Sequence, residues 1–167
     1  MNFDNRGNLL ENYVVNFEEF YSEFVSKWDS EDSIRSDIFQ IFQTYINDFK
    51  ALITSEFAIW IDGSFLSNLK KDPQDIDFVI FINYEIIESK INLINNRFGK
   101  HGVKEFYGKL LDAYISPIYP TNHKNSFWTQ SDKAYWIQQF STTKPNRNGV
   151  KYSKGFIKME FKNDERI

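Results

Sequence analysis

The spacing of hydrophobic positions changes along the chain, and each change marks an element. Residues 16–28, NFEEFYSEFVSKW, set Phe17, Phe20, Tyr21, Phe24 and Trp28 three or four apart with acids between them, the pattern of one helical face. The same period continues through Ile34, Ile38, Ile41, Phe42, Tyr45, Phe49, Leu52 and Ile53, with Asp32 or Ser33 placed to cap a second helix. From Phe57 the runs shorten. Phe57–Ile61, Asp75–Ile82 and Leu110–Ser116 are brief apolar stretches bounded by polar residues, the signature of buried strands. Between the last two, Tyr84–Phe98 returns to helical spacing, so strand, helix and strand follow one another. A further helix is expected at Asp132–Phe140, a loop at 142–149 and a last strand at Gly155–Phe161. The pattern predicts a mixed α/β (α+β) fold: helices first, strands in the middle, and a sheet with crossover helices.

A length of 167 residues suits one core, so residues 1–167 are expected to form a single domain. With 41% apolar and 18% aromatic residues the chain can fill that core, which excludes disorder. The absence of cysteine removes disulfides, zinc–thiolate sites and thiol nucleophiles, and two histidines, His101 and His123, leave few candidates for a histidine metal site or a Ser-His-Asp triad. The longest apolar run, Phe78 to Ile82, is too short to span a bilayer. The first ten residues, MNFDNRGNLL, lack the pattern of a signal peptide, so a soluble cytoplasmic protein with no membrane partner is expected.

Charge changes the picture more. The net charge of −3 divides into 12 acids against 4 Lys/Arg over residues 1–62 and 11 against 16 over residues 63–167. An anionic ligand therefore belongs with the second part, although most lysines of any chain simply solvate its surface.

The candidate chemistry starts at GSFLSNLKKDPQDID, residues 63–77. A glycine just past a strand lets backbone N–H groups approach a phosphate, and Ser64 adds a hydroxyl; a plain turn reads the same way. In a strand, Asp75 and Asp77 project to one side. Two such carboxylates repel unless a cation lies between them, and hard oxygens suit Mg²⁺; the competing reading is a strand end pointing two acids at water. Asp112 weighs against that second reading. It stands inside LLDAYI, apolar enough for a central strand, where a lone carboxylate is costly and needs a partner. If that strand neighbours residues 75–82, three carboxylates converge beside the Gly-Ser turn, the layout of a two-metal phosphoryl-transfer centre.

The Gly-Ser turn, ten intervening residues, Asp-Ile-Asp entering a strand and a later strand Asp together resemble the polymerase-beta-like nucleotidyltransferase superfamily. GNLLENYVVNFEEF, the helix with Arg35, GSF, the P-x-D-I-D loop, LDAYIS, a Trp-Gln-rich helix and KGFIKMEF extend the likeness over nearly the whole chain, towards a group of small, largely uncharacterised bacterial proteins of that superfamily. The resemblance implies a mixed sheet flanked by helices. It also implies a magnesium-dependent enzyme moving a nucleotide monophosphate from an NTP, such as ATP, to an acceptor hydroxyl on protein, RNA or another nucleotide. It assigns the two Mg²⁺ ions, with Mn²⁺ as a substitute, to Asp75 and Asp77, acceptor activation to Asp112, and the triphosphate to Gly63 and Ser64. Small members often serve toxin-antitoxin or antiviral defence modules, with a partner protein. The alternative is a non-catalytic module that keeps the fold to bind a nucleotide or a partner.

Supporting groups are drawn from the basic stretch Lys144, Arg147, Lys151, Lys154, Lys158 and Lys162, with Lys154 the candidate for nucleotide binding. Lys70 and Lys71 could close over phosphates or be solvated. Trp128, Tyr135 and Trp136 could stack a base, but helical aromatics more often fill a core. His101 reads as a loop residue.

Overall fold

The computed structural model describes residues 1–28 and 34–162, so the expected cap at Asp32 or Ser33 lies outside the described residues. Five strands form one sheet: β1 Tyr13–Val14, β2 Phe57–Asp62, β3 Ile76–Asn83, β4 Leu111–Ile118 and β5 Ile157–Phe161, in the order β1-β5-β2-β3-β4. β2 runs antiparallel to β3 and β5, while β3 with β4 and β1 with β5 are parallel. The helices are α1 Phe17–Phe24, α2 Ile34–Leu52, α3 Tyr84–Leu93, α4 Lys100–Tyr107 and α5 Ser126–Phe140. No helix among the described residues is long and apolar enough to cross a membrane. The fold is mixed α+β.

Alternation along the strands gives the sheet two unequal faces. Ile59 and Ile61 of β2, Phe78 and Ile80 of β3, and Ile157 and Met159 of β5 face the larger core with Phe20, Phe42, Tyr45 and Phe49 of α1 and α2. Aromatic edges lock this layer: Phe78 meets Phe42 and Tyr45 at 5.2 Å between ring centroids. The intervening residues Trp60, Val79, Phe81 and Phe156 face the other way into a smaller cluster closed by Phe140, with Tyr114 and Trp136 against it. Among the described residues α5 is the helix that covers this second face. It crosses from the end of β4, where Thr129 accepts a bond from the Tyr119 N–H, to the start of β5, where Phe140 packs on Phe156.

Several elements differ from the pattern's expectation. The crossover holds two helices separated by a π-helical turn, Ile94–Phe98, and His101 lies on α4 rather than in a loop. A Cβ on Gly102 would strike the Asn96 carbonyl, so the glycine is what lets α4 close onto the preceding turn. Helix α5 begins at Ser126 rather than Asp132, because exposed Phe127 and Trp128 blur its polar face. The two-residue β1 carries too little pattern to register. Strand β4 stands at the sheet edge, not its centre.

A carboxylate row across three strands

Cross-strand register builds the candidate site. Asp62 at the end of β2 pairs with Asp77 near the start of β3, and Asp77 pairs with Asp112 of β4. All three share the side of Trp60, Val79 and Tyr114, so they form a row on the thinly covered face. Asp75 lies just ahead of β3 and adds a fourth carboxylate. Asp75, Asp77 and Asp112 are half-buried, and Asp62 is buried.

Crowding registers in the acidity. Burial first, then the neighbouring carboxylates Asp75, Asp62 and Asp112, push the Asp77 pKa up to about 6, against the pull of the Lys144 ammonium. Asp62 was not anticipated from sequence. Its two oxygens each accept a 2.6 Å bond from Lys154 Nζ; burial raises its pKa while that ammonium opposes the rise. Lys154, the expected nucleotide contact, is thus the counter-ion of Asp62. Four carboxylates against Lys154 and Lys144 leave negative charge over, in a setting where hard oxygen donors suit a divalent cation. Among the described residues, however, no group of three or more Asp, Glu, His or Cys side chains is arranged so that it could hold a metal ion.

Among the described residues Asp112 is not bonded to a lysine or arginine. Its Oδ2 accepts a 3.2 Å bond from the Tyr114 hydroxyl, two residues along the strand, and the Tyr114 ring rests on Trp136 with 4.9 Å between centroids.

The Gly-Ser turn is held beside the row. Gly63 adopts φ +91°, a conformation that L side chains avoid, and a Cβ on it would fall on the Asp77 carboxylate. Ser64 opens a short 3-10 turn, Ser64–Leu66. Arg35 fixes that turn from within the core: it is fully buried, and its Nη1 donates to the Phe24 and Phe65 carbonyls (2.9 and 2.7 Å), its Nη2 to those of Ser67 and Lys70 (2.8 and 2.6 Å). Its guanidinium lies 4.5 Å from the Trp28 ring and 5.1 Å from that of Phe65. Burial lowers its pKa to about 10, Asp72 opposing. A single arginine therefore ties α2 to the loop joining the two halves of the motif.

The remaining candidates divide. The side chains of Lys70 and Lys71 are exposed, and only the Lys70 backbone is held. Lys144, Arg147 and Lys151 are exposed on a loop closed by the Thr142–Ser153 bridge, and of these Lys144 acts on Asp77. Lys158 sits 4.9 Å over the Trp60 ring. Trp128 and Tyr135 are more than half exposed rather than core, whereas Trp136 is half-buried. A mostly apolar groove of about 330 Å³ lies on the opposite side of β4, between Ile87, Ile91, Phe98, Ala113 and Ile115, away from the carboxylates.

Residues 1–160 match a family of unknown function, DUF6932. The chain belongs to this family. No curated protein and no solved structure matches the chain. The DUF6932 match covers every residue of the carboxylate row, the Gly-Ser turn, Arg35 and Lys154.

Proposed function

We propose that this DUF6932 chain is a divalent-cation-dependent nucleotidyltransferase that moves a nucleoside monophosphate from an NTP to an acceptor hydroxyl. The observation that carries the reading is the register of Asp62, Asp77 and Asp112 across three adjacent strands, with Asp75 beside them and the Asp77 pKa raised to about 6. Uncompensated carboxylates cost stability, and their concentration beside a glycine turn supports reading the row as a functional site. Asp75, Asp77 and Asp112 would hold the cations, Mg²⁺ or Mn²⁺. When bound, such ions neutralise charge developing on the phosphates and orient the transferring group.

The chain's own residues supply the rest. Gly63, lacking a Cβ, lets the Asp77 carboxylate pack directly against the turn, and Ser64 offers a hydroxyl to a phosphate. Asp112, free of any lysine or arginine bond among the described residues, can accept a proton from a hydroxyl brought to it. Lys154 keeps Asp62 from adding an unpaired charge to the row. A non-catalytic binding module is favoured by the exposed Phe127, Trp128 and Tyr135 of α5, but it gives no reason for the carboxylate row.

The test is incubation with α-labelled NTPs, Mg²⁺ and a cell lysate as the source of acceptors. Label should move to an acceptor with the wild type and fall at least about 100-fold with Asp77→Asn. Absence of NTP binding by both proteins would sink the reading.

A further inference from the structure

Resting on that reading, we propose that the chain carries its own acceptor: the Tyr114 hydroxyl, bonded to Asp112 within the carboxylate row, receives the nucleotide in an intramolecular self-nucleotidylation. A nucleotidyltransferase requires an acceptor oxygen, a base within hydrogen-bond reach of its proton, and a fixed position for both. Tyr114 meets these conditions. Its hydroxyl lies 3.2 Å from Asp112 Oδ2. Its ring is braced by Trp136 of α5 and stands on the same side of β4 as Asp112 and of β3 as Asp77. It is half-buried rather than sealed, so a phosphate arriving at the row can meet it.

Transfer needs a group to take the phenolic proton, and the Asp112 carboxylate already accepts a hydrogen bond from that hydroxyl. In the step, the phenolic oxygen attacks the α-phosphorus of the NTP and forms a new O–P bond. The bond from that phosphorus to the oxygen bridging to the β-phosphate breaks, and pyrophosphate leaves with the electron pair. The phenolic proton passes to the Asp112 carboxylate and then to water. No oxidant or further co-reactant enters. The product, a phosphodiester on Tyr114, removes the hydroxyl that Asp112 now binds and places a nucleotide against the row, so the modification would also close the site to further acceptors.

The full chain is incubated with each of the four NTPs and Mg²⁺, then read by intact mass, by peptide fragmentation and by equilibrium NTP binding. The expected result is a gain of one nucleoside monophosphate per chain, localised to Tyr114. The adduct should be absent in Tyr114→Phe, and absent in Asp77→Asn, which loses NTP binding. The fraction modified per minute should not depend on protein concentration. NTP binding without a covalent adduct, an adduct on Ser64 or Tyr135 instead, or a rate proportional to protein concentration would each overturn self-modification while leaving the nucleotidyltransferase reading standing. Failure of the wild type to bind any NTP would overturn both.

Discussion

Replacing Asp77 by asparagine should make the protein more stable at neutral pH, and the structure gives the size. In the folded chain Asp77 keeps its proton up to about pH 6, because burial and the carboxylates of Asp75, Asp62 and Asp112 oppose its ionisation, whereas an ordinary aspartate releases it near 3.8. Between those values the folded state binds more protons than the unfolded state, so stability falls as pH rises through that window. This is the reverse of the usual salt-bridged carboxylate. At about 1.4 kcal/mol per pH unit the full cost above pH 6 is roughly 3 kcal/mol, and partial exposure of the side chain reduces it to about 2 kcal/mol. Asp77→Asn removes the charge and keeps the shape. Urea unfolding at pH 4, 6 and 8 should show the variant equal to wild type at pH 4 and about 2 kcal/mol more stable at pH 8. Saturating Mg²⁺ should narrow the gap at pH 8 by stabilising the wild type alone, about 2.7 kcal/mol at 100 times its Kd. A variant less stable than wild type at pH 8, or a difference that ignores pH, would refute the electrostatic account of the row.

Three other substitutions probe the frame around it. Arg35→Met leaves the Phe24, Phe65, Ser67 and Lys70 carbonyls without their donor and should cost about 3–5 kcal/mol in urea unfolding, with NTP binding weakened as the 63–70 segment loosens. Lys154→Met strands the buried Asp62 carboxylate and should cost about 3–5 kcal/mol, most of it recovered in the double variant with Asp62→Asn, as a double-mutant cycle would measure. Gly63→Ala forces an L side chain to φ +91° and against Asp77, which should cost about 1–3 kcal/mol and displace that carboxylate, visible as a lowered urea midpoint and a loss of NTP affinity.

The two central strands and the long α2 were legible because their periods are strong, and the pairing of β3 with β4 followed from the strand-helix-strand order. That pairing brings Asp77 and Asp112 together as expected. Asp62 was missed because it closes the run FAIWID and reads as the polar end of a strand; the step of two from Ala58 through Trp60 places it on the acid side, but only the antiparallel register with β3 sets it beside Asp77. Lys154 was read as a phosphate contact from its basic surroundings, yet its partner lies 92 positions away, a pairing that local spacing does not contain. Arg35 sits one turn before Ile38 and Phe39 on an apolar stripe, and a charged residue there is itself a signal of a buried cation with carbonyl partners. The exposed aromatics of α5 ran against the usual rule because, among the described residues, no other helix packs on that side of the sheet to cover them.

The central claim, that the carboxylate row and the Gly63–Ser64 turn form a site for an NTP with its divalent cation, is tested most directly by equilibrium binding of labelled NTPs at pH 8 with and without Mg²⁺. The account predicts saturable binding of one NTP per chain that requires Mg²⁺ and disappears in Asp77→Asn although that variant is the more stable protein. Binding that is indifferent to Mg²⁺ and unchanged in Asp77→Asn, or no binding by the wild type, would contradict it.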